Sequence, residues 1–73
     1  MTMTTRKAER LGDRIRRVRH RRRLTLEAVA QKVGVTKSYM SWVETNQGEP
    51  SLGNLRKIAK ALEVKAGRLL GES

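Results

Sequence analysis

The chain has 73 residues, with 17 Lys and Arg against seven Asp and Glu, a formal net charge of +10 and no cysteine. That length allows one small domain around one core, with no catalytic cleft of ordinary size. The lack of cysteine excludes a disulfide frame and a thiolate metal site, and it fits a reducing interior.

His20 is the only histidine and cannot make a histidine metal site by itself, and no apolar run exceeds two or three residues. No set of titratable groups suggests a nucleophile with its base. The expectation is a soluble, cytoplasmic binding protein with no cofactor, no metal, no membrane span and no enzymatic activity. Its partner should be a polyanion, since ten of the seventeen basic residues fall between Arg6 and Arg23. Nucleic acid and an anionic membrane surface are both compatible with that run.

Residues 1–7 read as a flexible basic arm. Met1 to Thr5 has no periodicity, and Arg6 with Lys7 resembles nothing more specific than a minor-groove arm. A domain is expected over residues 8–71. Ala8 to Arg23 has the pattern of a helix burying Leu11, Ile15 and Val18, with Leu24 closing the stripe. Arg14, Arg17 and Arg21 lie on one outer face of it, and Arg16, His20 and Arg23 on another. Such dense like charge disfavours an isolated helix and calls for a compensating anion or solvent. Arg19 stands beside the apolar stripe instead of opposite it. Glu44, equally odd, ends a later helix at the negative end of the macrodipole. An ion pair between them and two independent surface charges both fit the spacing.

Leu24 to Glu44 contains two short helical patterns parted by Gly34 and Val35. Thr25 caps the first, whose apolar side is Leu26, Val29, Ala30 and Val33, and Gly34 ends it in the left-handed region. Thr36 caps the second, with Tyr39, Met40 and Val43 inward. Helices this short are unstable alone and must pack on each other and on their neighbours. The spacing predicts a helix-turn-helix in which Lys37, Ser38, Ser41 and Trp42 face outward, where such a helix can reach base edges in a major groove.

Thr45 to Pro50 is rich in turn formers. Asn46 tolerates a left-handed backbone, and Pro50 keeps Glu49 extended. Ser51 caps a helix through Leu62, with Leu52, Leu55, Ile58, Ala59 and Leu62 inward and Arg56, Lys57 and Lys60 outward. Its free N-terminal amides suit a phosphate. Val64 to Leu70 is a weaker helix, with Lys65 at the cap position and Gly67 inside. Leu69 and Leu70 either fold onto the core or form a patch that pairs with a second copy.

The string Leu24-Thr25-x-Glu27-x-x-Ala30-x-x-x-Gly34-Val35-Thr36-x-Ser38-Tyr39-x-Ser41-x-x-Glu44, followed by Pro50-Ser51-Leu52-x-x-Leu55-x-x-Ile58-Ala59-x-Ala61-Leu62-x-Val64, resembles the Cro/repressor-type helix-turn-helix family, also called the xenobiotic response element family. The resemblance spans Leu11 to Leu70. It implies an all-α, compact five-helix lambda-repressor-like domain that binds double-stranded operator DNA, usually as a homodimer, in a prokaryotic or phage setting. It implies base contacts from Lys37, Ser38 and Trp42, with Ser41 beside them, and an ion pair between Arg19 and Glu44. It also implies phosphate contacts from Arg19, Arg23, Thr25, Asn46 and Ser51. The charge on the first helix adds Arg14, Arg17, Arg21 and Arg22 to the pool of phosphate anchors, Thr36 and Tyr39 complete the expected phosphate contacts, and the dimer is expected to form through Leu69 and Leu70.

The chain departs from the family pattern at several positions. Trp42 stands where a polar or basic residue is common, so it would meet a thymine methyl, face a protein partner or pack back on the domain. Leu26 and Ala28 leave the capping box of the first motif helix incomplete. Glu63 replaces the usual glycine after the fourth helix. The reading is a transcriptional regulator, as a repressor, on an inverted-repeat operator. The alternative is an antitoxin- or coactivator-like module that uses the same fold to bind protein, served by Trp42 and the Leu69-Leu70 end. A basic helix that only coats membrane or RNA is disfavoured by the capped, core-forming pattern after Arg23.

Overall fold

The computed structural model describes residues 9–71, so the expected arm of residues 1–7 lies outside the described residues. Five helices and no strand occur among them: α1 (Leu11–Arg21), α2 (Leu26–Val33), α3 (Lys37–Glu44), α4 (Leu52–Ala61) and α5 (Ala66–Leu69). Each short helix is stopped and started by the chemistry that its flanking residues supply. The hydroxyls of Thr25, Thr36 and Ser51 accept hydrogen bonds from the backbone N–H groups of Ala28, Tyr39 and Asn54 at 3.0, 2.9 and 3.1 Å. Each satisfies one donor that the helix itself cannot. Gly34 closes α2 at φ 87°.

The first helix is shorter than its periodicity suggests. The Asp13 carboxylate accepts a hydrogen bond from the Arg10 backbone N–H at 3.1 Å, which makes Arg10 the cap and Leu11 the first helical residue. At the other end Arg23 takes φ 58°, a left-handed conformation that no helix continues through. Asn46 and Glu63 adopt the same region at φ 61°, turning the chain out of α3 and away from the end of α4.

The core is formed by Ile15 and Val18 of α1, Val29, Ala30 and Val33 of α2, Met40 and Val43 of α3, Leu55, Ile58, Ala59 and Ala61 of α4, with Leu62 and Leu69. Helix α2 packs on α3 and α4, while α1 packs on α3 and α5 and α4 also meets α5. No helix buries its stripe alone. Gly12 is a packing requirement: a methyl group there would overlap the Val43 carbonyl oxygen, so the missing side chain lets α1 approach the end of α3.

Two expectations need correction. Leu52 is 59% exposed, because it occupies the first turn of α4 and the buried stretch starts one turn later at Leu55. Leu69 is fully buried in the core, so it cannot serve as a dimer contact, and only Leu70, at 49% exposure, remains outside.

Candidate nucleic-acid interface

Helix α3 has two sides with different duties. Met40, Val43 and Glu44 are buried, Tyr39 and Ser41 are half-buried, and Lys37, Ser38 and Trp42 are exposed. The exposed three share one side because residues 38 and 42 are one turn apart and Lys37 opens the helix. A helix eight residues long can keep this division only if something else fixes its rotation. Three attachments do so.

The first is an ion pair. Arg19 Nε and Nη2 donate to the two Glu44 carboxylate oxygens at 2.7 and 3.0 Å, and Nη1 donates to the Leu24 carbonyl at 2.9 Å. Their side chains are 12% and 5% exposed. This fork ties the end of α3 both to α1 and to the α1–α2 connection, and it offsets a carboxylate placed at the unfavourable end of a helix. It also directs one N–H each of Arg19 Nε, Nη1 and Nη2 into the domain, leaving the remaining N–H groups of the fork for the expected phosphate contact.

The second attachment is Asn46. Its amide oxygen accepts from the Gly12 backbone N–H at 2.9 Å and its amide nitrogen donates to Asp13 at 3.0 Å. The side chain expected to meet a phosphate is therefore turned to the first turn of α1, where it satisfies a helix-start donor.

The third is aromatic. Tyr39 and Trp42 lie with ring centroids 5.6 Å apart, tilted by 32°. The Tyr39 hydroxyl accepts from the Asn54 amide at 3.1 Å, which links α3 to the first turn of α4. The indole of Trp42 covers Gly48 so closely that any side chain at 48 would overlap the ring. Of the alternatives for Trp42, packing back on the domain describes most of its surface, and 36% exposure leaves part of the ring at the face of α3.

The arginines of α1 divide similarly. Arg17 donates two hydrogen bonds to Glu9, at 2.7 and 2.8 Å, and Arg14 lies 3.8 Å from the same carboxylate. The hydrogen bond from Arg17 holds the Glu9 carboxyl below its ordinary value, and Arg17 is held above its own by the same bond. Both Arg14 and Arg17 were expected to be phosphate anchors, and both carry this competing partner. Arg22 donates to the Glu63 carbonyl at 3.1 Å. Arg16, Arg21 and Arg23 are exposed with no carboxylate partner among the described residues.

Lys37 is also engaged, 3.0 Å from the Glu27 carboxylate at the start of α2. This hydrogen bond is the main reason that the Glu27 carboxyl lies below its ordinary value, with its own backbone N–H contributing next. Glu9, Gly12, Glu27 and Gly48 were not singled out as site residues by sequence. Only Glu27 sat within a recognisable motif.

Among the described residues no helix is long and apolar enough to cross a membrane, and no group of three acidic, histidine or cysteine side chains could hold a metal ion.

A family model described as a helix-turn-helix domain matches residues 10–70. The chain is similar to the HTH-type transcriptional regulator SinR of Bacillus subtilis (strain 168), with 40% identity over 63 residues, covering 85% of this chain and 57% of that protein. It is also similar to the immunity repressor protein of Bacillus phage phi105, at 34% identity over 62 residues, covering 85% of this chain and 43% of that protein. The chain thus spans about half the length of the curated relatives it matches. Among solved structures, SinR in complex with DNA superposes with a TM-score of 0.78 at 38% identity, covering 82% of this chain and 97% of that one. A match that runs through all five helices, from Arg10 to Leu70, places this chain in the family of Cro/repressor-type helix-turn-helix domains.

Proposed function

We propose that the chain is a sequence-specific double-stranded DNA-binding domain of a transcriptional regulator acting as a repressor inside the cell, and not an enzyme. One observation carries the reading: α3 exposes Lys37, Ser38 and part of Trp42 on one side while its other side is fixed in the core by Met40, Val43 and the Glu44 fork. Lys37 reads guanine O6 or N7, Ser38 a neighbouring base edge, and the exposed indole edge of Trp42 packs on a thymine methyl, with Ser41 behind them.

Phosphates are held by cations and donors around this helix. Arg16, Arg21 and Arg23 supply charge that no carboxylate among the described residues pairs. Thr25, Thr36 and Ser51 accept cap hydrogen bonds through oxygen and keep their hydroxyl protons to donate, as does Tyr39. Arg14 and Arg17 join them where a phosphate displaces Glu9. The SinR structure whose chain this one resembles is a complex with DNA, which supports the assignment.

One motif reads only a few base pairs. A homodimer with recognition helices about 34 Å apart reads an inverted repeat, and Leu70 is the apolar residue of the C-terminal segment left to contribute to it. A protein-docking module would have used Trp42 and the Leu69-Leu70 end. The seat of Trp42 on Gly48 and the burial of Leu69 remove most of that surface and favour DNA.

The test is titration against a duplex selected from random sequence, a random duplex and anionic vesicles at two salt concentrations. The selected duplex stays strongly preferred as salt rises, and Lys37→Ala with Ser38→Ala removes that preference while weak random binding persists. Preference that survives the double substitution overturns the assignment of base readers.

A further inference from the structure

We infer that Glu27 is a specificity-determining residue: with Lys37 it forms a donor–acceptor pair that reads both halves of one G·C base pair, and it keeps Lys37 from binding phosphates. The inference rests on the proposed role of Lys37 as a base reader.

The geometry starts from two helix beginnings. Glu27 is the second residue of α2 and Lys37 the first of α3, and the turn between them brings Lys37 Nζ to 3.0 Å from the Glu27 carboxylate. Both side chains are mostly exposed, so the pair stands on the surface beside Ser38 and is not part of the core. A lone lysine on a four-carbon stem is a mobile point charge that any phosphate satisfies. Tied to a carboxylate, it becomes an ordered donor next to an ordered acceptor. A carboxylate has more acceptor sites than one ammonium uses, so Glu27 can hold Lys37 and still accept from a base.

The major-groove edge of a G·C pair offers the complementary set. Guanine presents its N7 and O6 acceptors, and beside O6 the cytosine N4 amino group is a donor. Lys37 over N7 and O6 leaves Glu27 next to N4. A T·A pair also offers an acceptor beside a donor, thymine O4 and adenine N6. It brings the thymine methyl against the ammonium, however, and puts adenine N7, an acceptor, against the carboxylate. A C·G pair reverses the order and sets acceptor against acceptor. An A·T pair keeps the N7 acceptor under the ammonium but sets thymine O4, an acceptor, where cytosine N4 would meet the carboxylate, so the ranking at this position is G·C first, the two A–T orientations next and C·G last.

Glu27 also suits the start of a helix on dipole grounds alone. That role would alter helix stability and leave both the base ranking and the salt dependence unchanged.

The position is located first: it is the base pair of a selected duplex whose preference Lys37→Ala abolishes. Affinities for the four base pairs there are then measured for wild type, Glu27→Ala and Glu27→Gln, together with random duplex over a salt series, and thermal melting confirms that the variants fold. Wild type should follow the ranking above. Glu27→Ala should lose about tenfold of the discrimination, in line with one good base contact. It should also bind random duplex more tightly, with the slope of log affinity against log salt steeper by roughly 0.9 as Lys37 turns to a phosphate. Glu27→Gln keeps an acceptor without charge, so it should show the steeper slope with part of the ranking retained. A Glu27→Ala protein with the wild-type ranking and slope overturns the inference while leaving Lys37 as a reader. If Lys37→Ala abolishes no base preference, the proposed reading of Lys37 falls and the pair falls with it.

Discussion

Glu44→Ala tests whether the recognition helix is held by the fork described above. The substitution leaves the Arg19 guanidinium in a site where its side chain is 12% exposed, with no carboxylate and only the neutral Leu24 carbonyl and the His20 ring nitrogen beside it. Removing one member of a buried pair costs roughly 3–5 kcal/mol, because the surviving charge is neither solvated nor paired. A chain of this length has roughly 4–11 kcal/mol in all, at roughly 0.05–0.15 kcal/mol per residue, so the variant loses a large share of its stability. With a shift of about 4–8 °C per kcal/mol for a domain of this size, the melting temperature falls by at least about 12 °C. The measurement is urea unfolding followed by circular dichroism, with thermal melting alongside. Replacing both partners, Arg19→Met with Glu44→Met, should recover stability to within about 1–2 kcal/mol of wild type, because no charge is left stranded. A loss below about 1 kcal/mol in Glu44→Ala would mean that the pair is effectively solvated and that α3 is held by its apolar side alone. A double variant as unstable as the single would show that the fork's geometry, and not the stranded charge, sets the cost.

Two further substitutions have expected outcomes. Gly48→Ala places a methyl group inside the volume of the Trp42 ring, so the indole must leave its seat. Because Trp42 is the only tryptophan, intrinsic fluorescence should shift to the red, and stability should fall by about 1–3 kcal/mol as for other overpacked sites. Glu63→Gly relieves a left-handed backbone at φ 61° and gives up only an exposed ion pair with Arg22 at 3.5 Å. The expected result is stabilisation of up to about 1 kcal/mol by urea unfolding, the strain relieved being partly offset by the freedom of glycine in the unfolded chain.

Features decided by near neighbours in sequence are the ones that could be read without coordinates. Thr25, Thr36 and Ser51 cap helices because the N–H they satisfy is three residues away, and Asn46 adopts the left-handed turn that its side chain favours. The misfits of Arg19 and Glu44 left an ion pair and two separate surface charges equally open, and only the family resemblance pointed to the pair that the structure contains. Long-range choices were not legible. Nothing in the spacing tells that Glu9 bonds Arg17 eight residues on, that the Asn46 amide turns to Gly12, or that Gly12 is a point of helix approach. Leu52 and Leu69 failed for a related reason. Periodicity names the side of a helix that faces inward, but how far along that side the cover extends is set by where neighbouring helices end.

The division of α3 into a fixed side and a free side bears on how such a protein changes its target over generations. Lys37 and Ser38 are exposed and lie outside the buried cluster, so Ser38 can be exchanged without repacking Met40 or Val43, and Lys37 at the cost only of its surface pair with Glu27. Trp42 cannot, since its ring also fills the space over Gly48. New binding preferences are therefore reached by single mutations at the front of the helix, whereas a change at its far end must be accompanied by a change in the following loop.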